Sequence, residues 1–189
     1  AGNLLGKEQH GHIAAVGFTF YNQLLSEEVK KLKGEKVSHP LPLSLDLEVE
    51  ARILPLYVPY KEQRLDLYRR IGKIKNEEEI LKFKEELRDR YGPLPSQVRN
   101  LIHLLRIKLI AKELGIISLR SKGSKIWATF SPFNPLGEEE RDKIKERLWP
   151  NVQPFPLDER NLAIVKKNKE ERLLIWLERI LHELKDVIY

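Results

Sequence analysis

The chain reads as an α+β domain: a small, mostly antiparallel sheet packed against helices around a central apolar helix, with a helical linker segment ahead of it. Three observations carry that expectation. Residues 43–53 alternate strictly, with Leu43, Leu45, Leu47, Val49, Ala51 and Ile53 facing one way and Ser44, Asp46, Glu48, Glu50 and Arg52 the other. A period of two marks a strand with one buried face. Residues 95–114 hold Val98, Leu101, Ile102, Leu104, Leu105, Ile107, Leu109, Ile110 and Leu114. That set is too wide for a single stripe, so several elements must pack around this helix. Finally, the rest of the chain divides into short strand-like runs and separate helical stripes with no internal repeat, about four strands and five helices in the domain.

The elements follow in order. Residues 1–17 carry Gly2, Gly6, Gly11 and Gly17 without sustained periodicity, which predicts tight backbone turns or close packing. The stretch lacks the Gly-Lys-Ser/Thr ending of a phosphate loop. A helix is predicted over 18–33 from the stripe Phe18, Tyr21, Leu24, Leu25, Val29 and Leu32, with Gly34 as its stop. Residues 35–42, with two prolines, form the best boundary, dividing the chain into 1–40 and 41–189.

After the alternating strand and a Pro-rich connector, a helix over 60–71 is expected to turn Leu65, Tyr68 and Ile71 inward and to carry Arg64, Arg69 and Arg70. Asn76 and Glu79 have capping-box spacing, so the next helix starts near residue 77, with Ile80, Phe83, Leu87 and Tyr91 as its stripe. Gly92 closes it, and Pro93 and Pro95 prevent continuation while pre-setting the first turn of the central helix. That helix ends at Gly115. A hairpin follows, with strands over 116–120 and 125–131 joined through 121–124. A short helix over 138–148 stops before Pro150, and residues 161–167 read as another strand. The last helix starts at the capping pair Asn168 and Glu171, with Leu173, Trp176, Leu177, Ile180, Leu181, Leu184 and Ile188 as its stripe.

Composition narrows the chemistry. The chain is 41% hydrophobic and 33% charged, the balance of a water-facing fold with a real core. No apolar run is long enough to cross a membrane, and no secretory leader is legible. Cysteine is absent, which removes disulfides, thiolate metal sites and cysteine nucleophiles. Methionine is absent too, which suggests a chain that starts inside a longer protein or was processed. The formal net charge of +6 is concentrated. Arg99, Arg106, Lys108, Lys112, Arg120, Lys122 and Lys125 face a single acid, Glu113, within 98–125, and the remainder is balanced. This fits either a nucleic-acid footprint or the solvated face of a core helix whose long stems cover apolar surface.

Candidate chemistry is sparse. Asp46, Glu48 and Glu50 share one strand face and could act as paired carboxylates or metal ligands. With no histidine or further acid placed beside them, a solvated sheet face or an acidic docking surface is the stronger reading. His10 and His12 flank a glycine and would need distant partners to hold zinc. His103, inside the central helix, suits a hydrogen-bonded structural role. No Ser-His-Asp order, nucleotide loop or metal motif is present, so the residues themselves do not describe an enzyme.

The same residues resemble one family, the bacterial transcription-repair coupling factors (the Mfd translocases). Gly2, Asn3, Gly6, Gln9 and Gly11 look like the tail of the RecG-like translocation motif, whose arginines would fall ahead of Ala1. Val16-Gly17-Phe18, Tyr21, Leu24-Leu25, Val29 and Leu32-Lys33 continue the match. So do Pro59, Arg64-Leu65, Tyr68-Arg69-Arg70 and Arg88-Asp89-Arg90-Tyr91-Gly92-Pro93-Leu94-Pro95. From Ser118 onward the match is a pattern of elements rather than a motif. The resemblance implies a parent ATP-driven translocase on double-stranded DNA that engages RNA polymerase and recruits UvrA in the bacterial cytoplasm, with no membrane partner. ATP and Mg would serve that parent, and no cofactor is expected in residues 1–189. It also implies that Gln9 belongs to a glutamine linking hydrolysis to movement. Residues 41–189 would form a regulatory domain folding back on the parent's N-terminal UvrA-like module and hiding its UvrA-binding surface. Asp46, Glu48, Glu50, Arg64, Arg69 and Arg70 are the expected interface residues. The rival reading is a basic nucleic-acid-binding module using the helices around Gly92-Pro93 as a helix-turn-helix.

Overall fold

The computed structural model describes residues 43–155, 158–166 and 172–189. The expected turns over 1–17, the helix over 18–33, the boundary near residue 40, the residues Gly2, Asn3, Gly6, Gln9 and Gly11, and the Asn168–Glu171 cap lie outside them.

The described elements run β1 (Ser44–Asp46), α1 (Lys61–Lys73), α2 (Glu77–Tyr91), α3 (Ser96–Glu113), β2 (Ile116–Lys122), β3 (Lys125–Phe130), α4 (Glu138–Leu148), β4 (Val152–Phe155), β5 (Asp158–Val165) and α5 (Leu173–Ile188). The strands form one mixed sheet in the order β1-β2-β3-β5-β4. Only β1 on β2 is parallel, and the other neighbours are antiparallel. This is the α+β fold that the patterning predicts.

The central helix is where the sequence places it. On α3, Val98, Leu101, Ile102, Leu104, Leu105, Ile107, Ile110 and Ala111 are all buried. Such an all-round apolar surface requires partners on several sides, and α3 meets α2, α5 and β2. Gly92 and Gly115 end α2 and α3 with φ of 85° and 75°, a region glycine enters without the Cβ penalty of other residues. At the start of α2, Asn76 Oδ1 accepts from the Glu79 N–H at 2.9 Å, and Glu79 reaches back to the Lys75 N–H at 2.8 Å. The capping spacing therefore acts as the sequence suggests.

Three expectations change. The strand over 43–53 shrinks to Ser44–Asp46, although its alternation survives: Leu45, Leu47, Ala51 and Ile53 are buried, while Ser44, Asp46, Glu48, Glu50 and Arg52 are exposed. Its partner β2 offers pairing only at Ser118–Arg120, so the chain leaves the ladder and turns at Glu48, where the Val49 N–H donates to the Leu47 carbonyl at 2.7 Å. In α1, Ile71 is buried as expected, but Leu65 is exposed and Leu67 is buried in its place. Tyr68 lies at the margin, its hydroxyl accepting from the Ile53 N–H at 2.8 Å. The fifth strand, β4, was not legible, because Pro154 removes a donor and is tolerated on a sheet edge. Strand β4 is that edge.

The sheet has two unlike faces. Leu45, Leu119, Ile126, Ala128, Leu162, Ile164 and Val152 lie in the core cluster with the helices. The alternate positions Ser118, Arg120, Trp127, Thr129, Asn161 and Gln153 are exposed or half-buried.

Candidate functional site

The expected interface residues do not form one cluster. Asp46 stands on β1, 3.5 Å from the Arg120 guanidinium across the parallel pair. Next to it, the Ser121 hydroxyl oxygen accepts from the Glu48 N–H at 3.0 Å. Glu50 reaches the start of α3, accepting from Gln97 Nε2 at 3.2 Å and Arg52 Nε at 2.9 Å. The Gln97 hydrogen bond first, and the Arg52 bond second, hold its carboxyl below the ordinary range. The three acids thus run from the sheet edge to a helix start, each beside a different partner. Among the described residues no group of His, Asp or Glu is placed to hold a metal.

The arginines divide by role. Arg64 Nη1 donates to the Val58 and Pro59 carbonyls, both at 2.7 Å, and so secures the entry to α1. Arg70 binds the Glu86 carboxylate with both terminal nitrogens, one bond at 2.8 Å, and Arg90 joins the same carboxylate at 2.9 Å. These cations, Arg70 foremost, push the Glu86 carboxyl down to about 2 against the opposing effect of burial. Arg64 and Arg70 are therefore committed to holding α1 and α2 in place. Arg69 is exposed. It shares its α1 face with exposed Leu65, four residues earlier, and in the segment leading into the helix Leu56 (95%) and Tyr60 (67%) are exposed as well.

The basic excess over 98–125 is likewise dispersed. Arg106 donates to Glu77 at 2.8 and 2.6 Å and approaches Glu178 at 3.9 Å. Arg99 donates to the Leu94 carbonyl at 2.7 Å. Lys108 is half-buried, and desolvation, helped by neighbouring Lys112, lowers its pKa. Lys112, Lys122 and Lys125 are exposed. Much of the excess serves packing and pairing, and α3 has no face free for a DNA groove, which removes the geometric basis of a helix-turn-helix. His103 has the structural role expected of it, donating from Nδ1 to Glu178 Oε2 at 2.7 Å and tying α3 to α5.

One feature escaped the sequence reading. On the sheet face away from the helices, Trp127 of β3 and Phe155 of β4 stack at 5.2 Å with an interplanar angle of 7°. The alternation Ile126, Ala128, Phe130 against Trp127, Thr129 could have placed Trp127 on the outer face. Phe155 could not be found that way, because β4 was not foreseen.

A family model described as the TRCF domain matches residues 47–145, just over half of the chain. The chain belongs to the transcription-repair coupling factor family. Among curated members, the Staphylococcus epidermidis factor is 33% identical over 157 residues, covering 82% of this chain and 13% of that protein. The Helicobacter pylori factor is 31% identical over 144 residues, with 76% and 14% covered. The Borreliella burgdorferi factor is 28% identical over 171 residues, with 90% and 15% covered. The chain therefore spans only about one seventh of the length of these coupling factors. Its fold matches the crystal structure of the C-terminal domain of a transcription-repair coupling factor with a TM-score of 0.64 at 19% identity, covering 77% of this chain and 93% of that one. Among the described residues no helix of this coupling-factor domain is long and apolar enough to span a membrane.

Proposed function

We propose that this domain is the non-catalytic regulatory module of a coupling factor, and that it acts by covering the UvrA-binding surface of the same protein's N-terminal module. The observation that carries this reading is the mixed surface around α1. Leu56, Tyr60 and Leu65 are exposed apolar side chains set singly among Lys61, Glu62, Asp66 and Arg69. Tethering supplies an effective concentration in the millimolar range, so an intramolecular contact needs only modest intrinsic affinity. Isolated apolar anchors within charged surface suit such a contact, because they bind and release without leaving a large sticky patch. Asp46, Glu48 and Glu50 extend the same polar character along the preceding segment, with Glu48 and Arg69 as the charges to test.

In this reading ATP and Mg belong to the motor of the parent protein, with RNA polymerase and double-stranded DNA as the parent's further partners. Gly2, Asn3, Gly6, Gln9 and Gly11 would belong to its translocation element, and residues 1–40 would link that element to the domain. The domain works by occupying a surface rather than by chemistry.

The test is a UvrA pull-down with the full-length parent protein. Deleting residues 41–189 should raise UvrA capture strongly. Glu48→Lys combined with Arg69→Glu should raise it less, with the melting point unchanged. Capture unaffected by the deletion rejects masking, whatever the double variant does.

A further inference from the structure

We infer that the outer face of the sheet is a binding site for single-stranded DNA. The helices cover one face only. The other carries a groove of about 460 Å³ lined by Arg120, Lys122, Trp127, Thr129, Phe155 and Asn161, among others. Trp127 and Phe155 stack on each other from strands on either side of β5, where Trp127 opposes Ala163 and Phe155 opposes Asp158. Ala163 is 1% exposed yet lies outside the core cluster of the helical side. The stacked ring pair therefore forms an apolar platform next to this small residue, on the side where a sheet otherwise meets water. Aromatic rings on such a face accept unpaired bases of any sequence by stacking.

Beside the platform runs a row of cations. Arg120 and Lys122 alternate along β2, about 7 Å apart by the strand rise, and Lys125 follows across the turn, opposite Lys122. Phosphates laid along this row would place their bases toward Trp127. Arg120 meets Asp46 at 3.5 Å with both side chains more than half exposed, a pairing that a phosphate readily replaces. The anion Asp158 sits at the other end of the groove, beyond the rings, where it faces base edges and can accept from exocyclic amines. Duplex DNA offers no open base face to the rings. Thr129 donates to Asn161 at 2.7 Å, and Asn161 donates to Asp158 at 2.6 Å. These bonds fix the Thr129 and Asn161 side chains in the groove, and the comparison with oligo(U) tests its preference for deoxyribose. This site uses none of the α1 surface, and its failure would leave the masking reading untouched.

The test is a fluorescence-anisotropy titration of a labelled ten-nucleotide oligo(dT) with the 189-residue chain. Binding is expected to weaken with salt at a logarithmic slope of about 2, three cations releasing roughly 0.7 counterion each. Trp127→Ala should weaken it at least about fivefold, the loss of one stacked base. Lys122→Glu with Lys125→Glu, on exposed positions that leave folding intact, should abolish it, and Lys112→Glu on α3 should not change it. Equal or tighter binding of a blunt duplex, or tighter binding of oligo(U), overturns the assignment. So does the absence of binding at 100 times the protein concentration that saturates a general single-strand binder.

Discussion

Leu105→Ala tests whether α3 is the element that the domain is built on. Leu105 is 2% exposed, on a helix in contact with α2, α5 and β2. The substitution removes three carbons, a transfer loss of about 2.4 kcal/mol at roughly 0.8 per methylene. A void walled by three elements collapses poorly, and its cavity cost adds to the transfer loss, giving a total of about 3–4 kcal/mol. For a domain of this size that lowers the melting point by roughly 6–16 °C. Leu109, one turn later on α3, is only half-buried and packs at the edge of the core. Leu109→Ala opens onto solvent and should cost about 1 kcal/mol. Thermal melts followed by circular dichroism, with urea midpoints as a second measure, compare the pair. Equal shifts for the two variants, or a larger one at Leu109, would refute the central role of α3.

Further outcomes follow from the same geometry. Arg70, with Arg90, holds the folded Glu86 carboxyl down to about 2, well below its ordinary value, so its stabilisation is present above the unfolded pKa and fades as pH falls through the ordinary carboxylate range toward 2. Glu86→Gln should therefore cost about 1 kcal/mol at pH 7, solvent screening having reduced the full linkage value, and almost nothing near pH 2; urea midpoints that differ equally at both pH values would contradict this. Gly115→Ala forces an L-residue to φ +75° and brings a Cβ to 2.9 Å from Asn134 Nδ2, whereas Gly123, at φ +62°, has nothing within 4 Å. The Gly115 variant should lose about 2 kcal/mol or more and the Gly123 variant about 1, an order that calorimetry can reverse. The 189-residue chain should hydrolyse no ATP with or without DNA, since its sequence contains no phosphate loop; turnover that survives purification and tracks a point change in this chain would overturn the non-catalytic reading.

Local chemistry determined a good deal here. The span of α3, the stops at Gly92 and Gly115, the Asn76 cap, the β2–β3 hairpin and the bounds of α4 are each fixed by interactions within a few residues. The apolar side of 43–53 was also legible, because Leu45, Leu47, Ala51 and Ile53 are drawn into the core even where the chain turns at Glu48 and leaves the ladder. What that segment pairs with was not, since a ladder needs a second strand 74 residues further along the chain and β2 meets it for only three residues. Which side of α1 turns inward depended on what lies beneath it, and Leu67 prevailed over Leu65 once Tyr68 was anchored at Ile53. The seven bases over 98–125 looked like one patch in a linear count, but Arg106 finds Glu77 and Glu178 on other helices, and Arg120 finds Asp46 on another strand. Trp127 and Phe155 belong to different strands and become a platform only because β5 pairs with both β3 and β4 and brings the two rings together on one face. Sequence encodes what neighbouring residues do to one another; the pairing of charges and the making of surfaces depend on which distant segments the fold brings into contact.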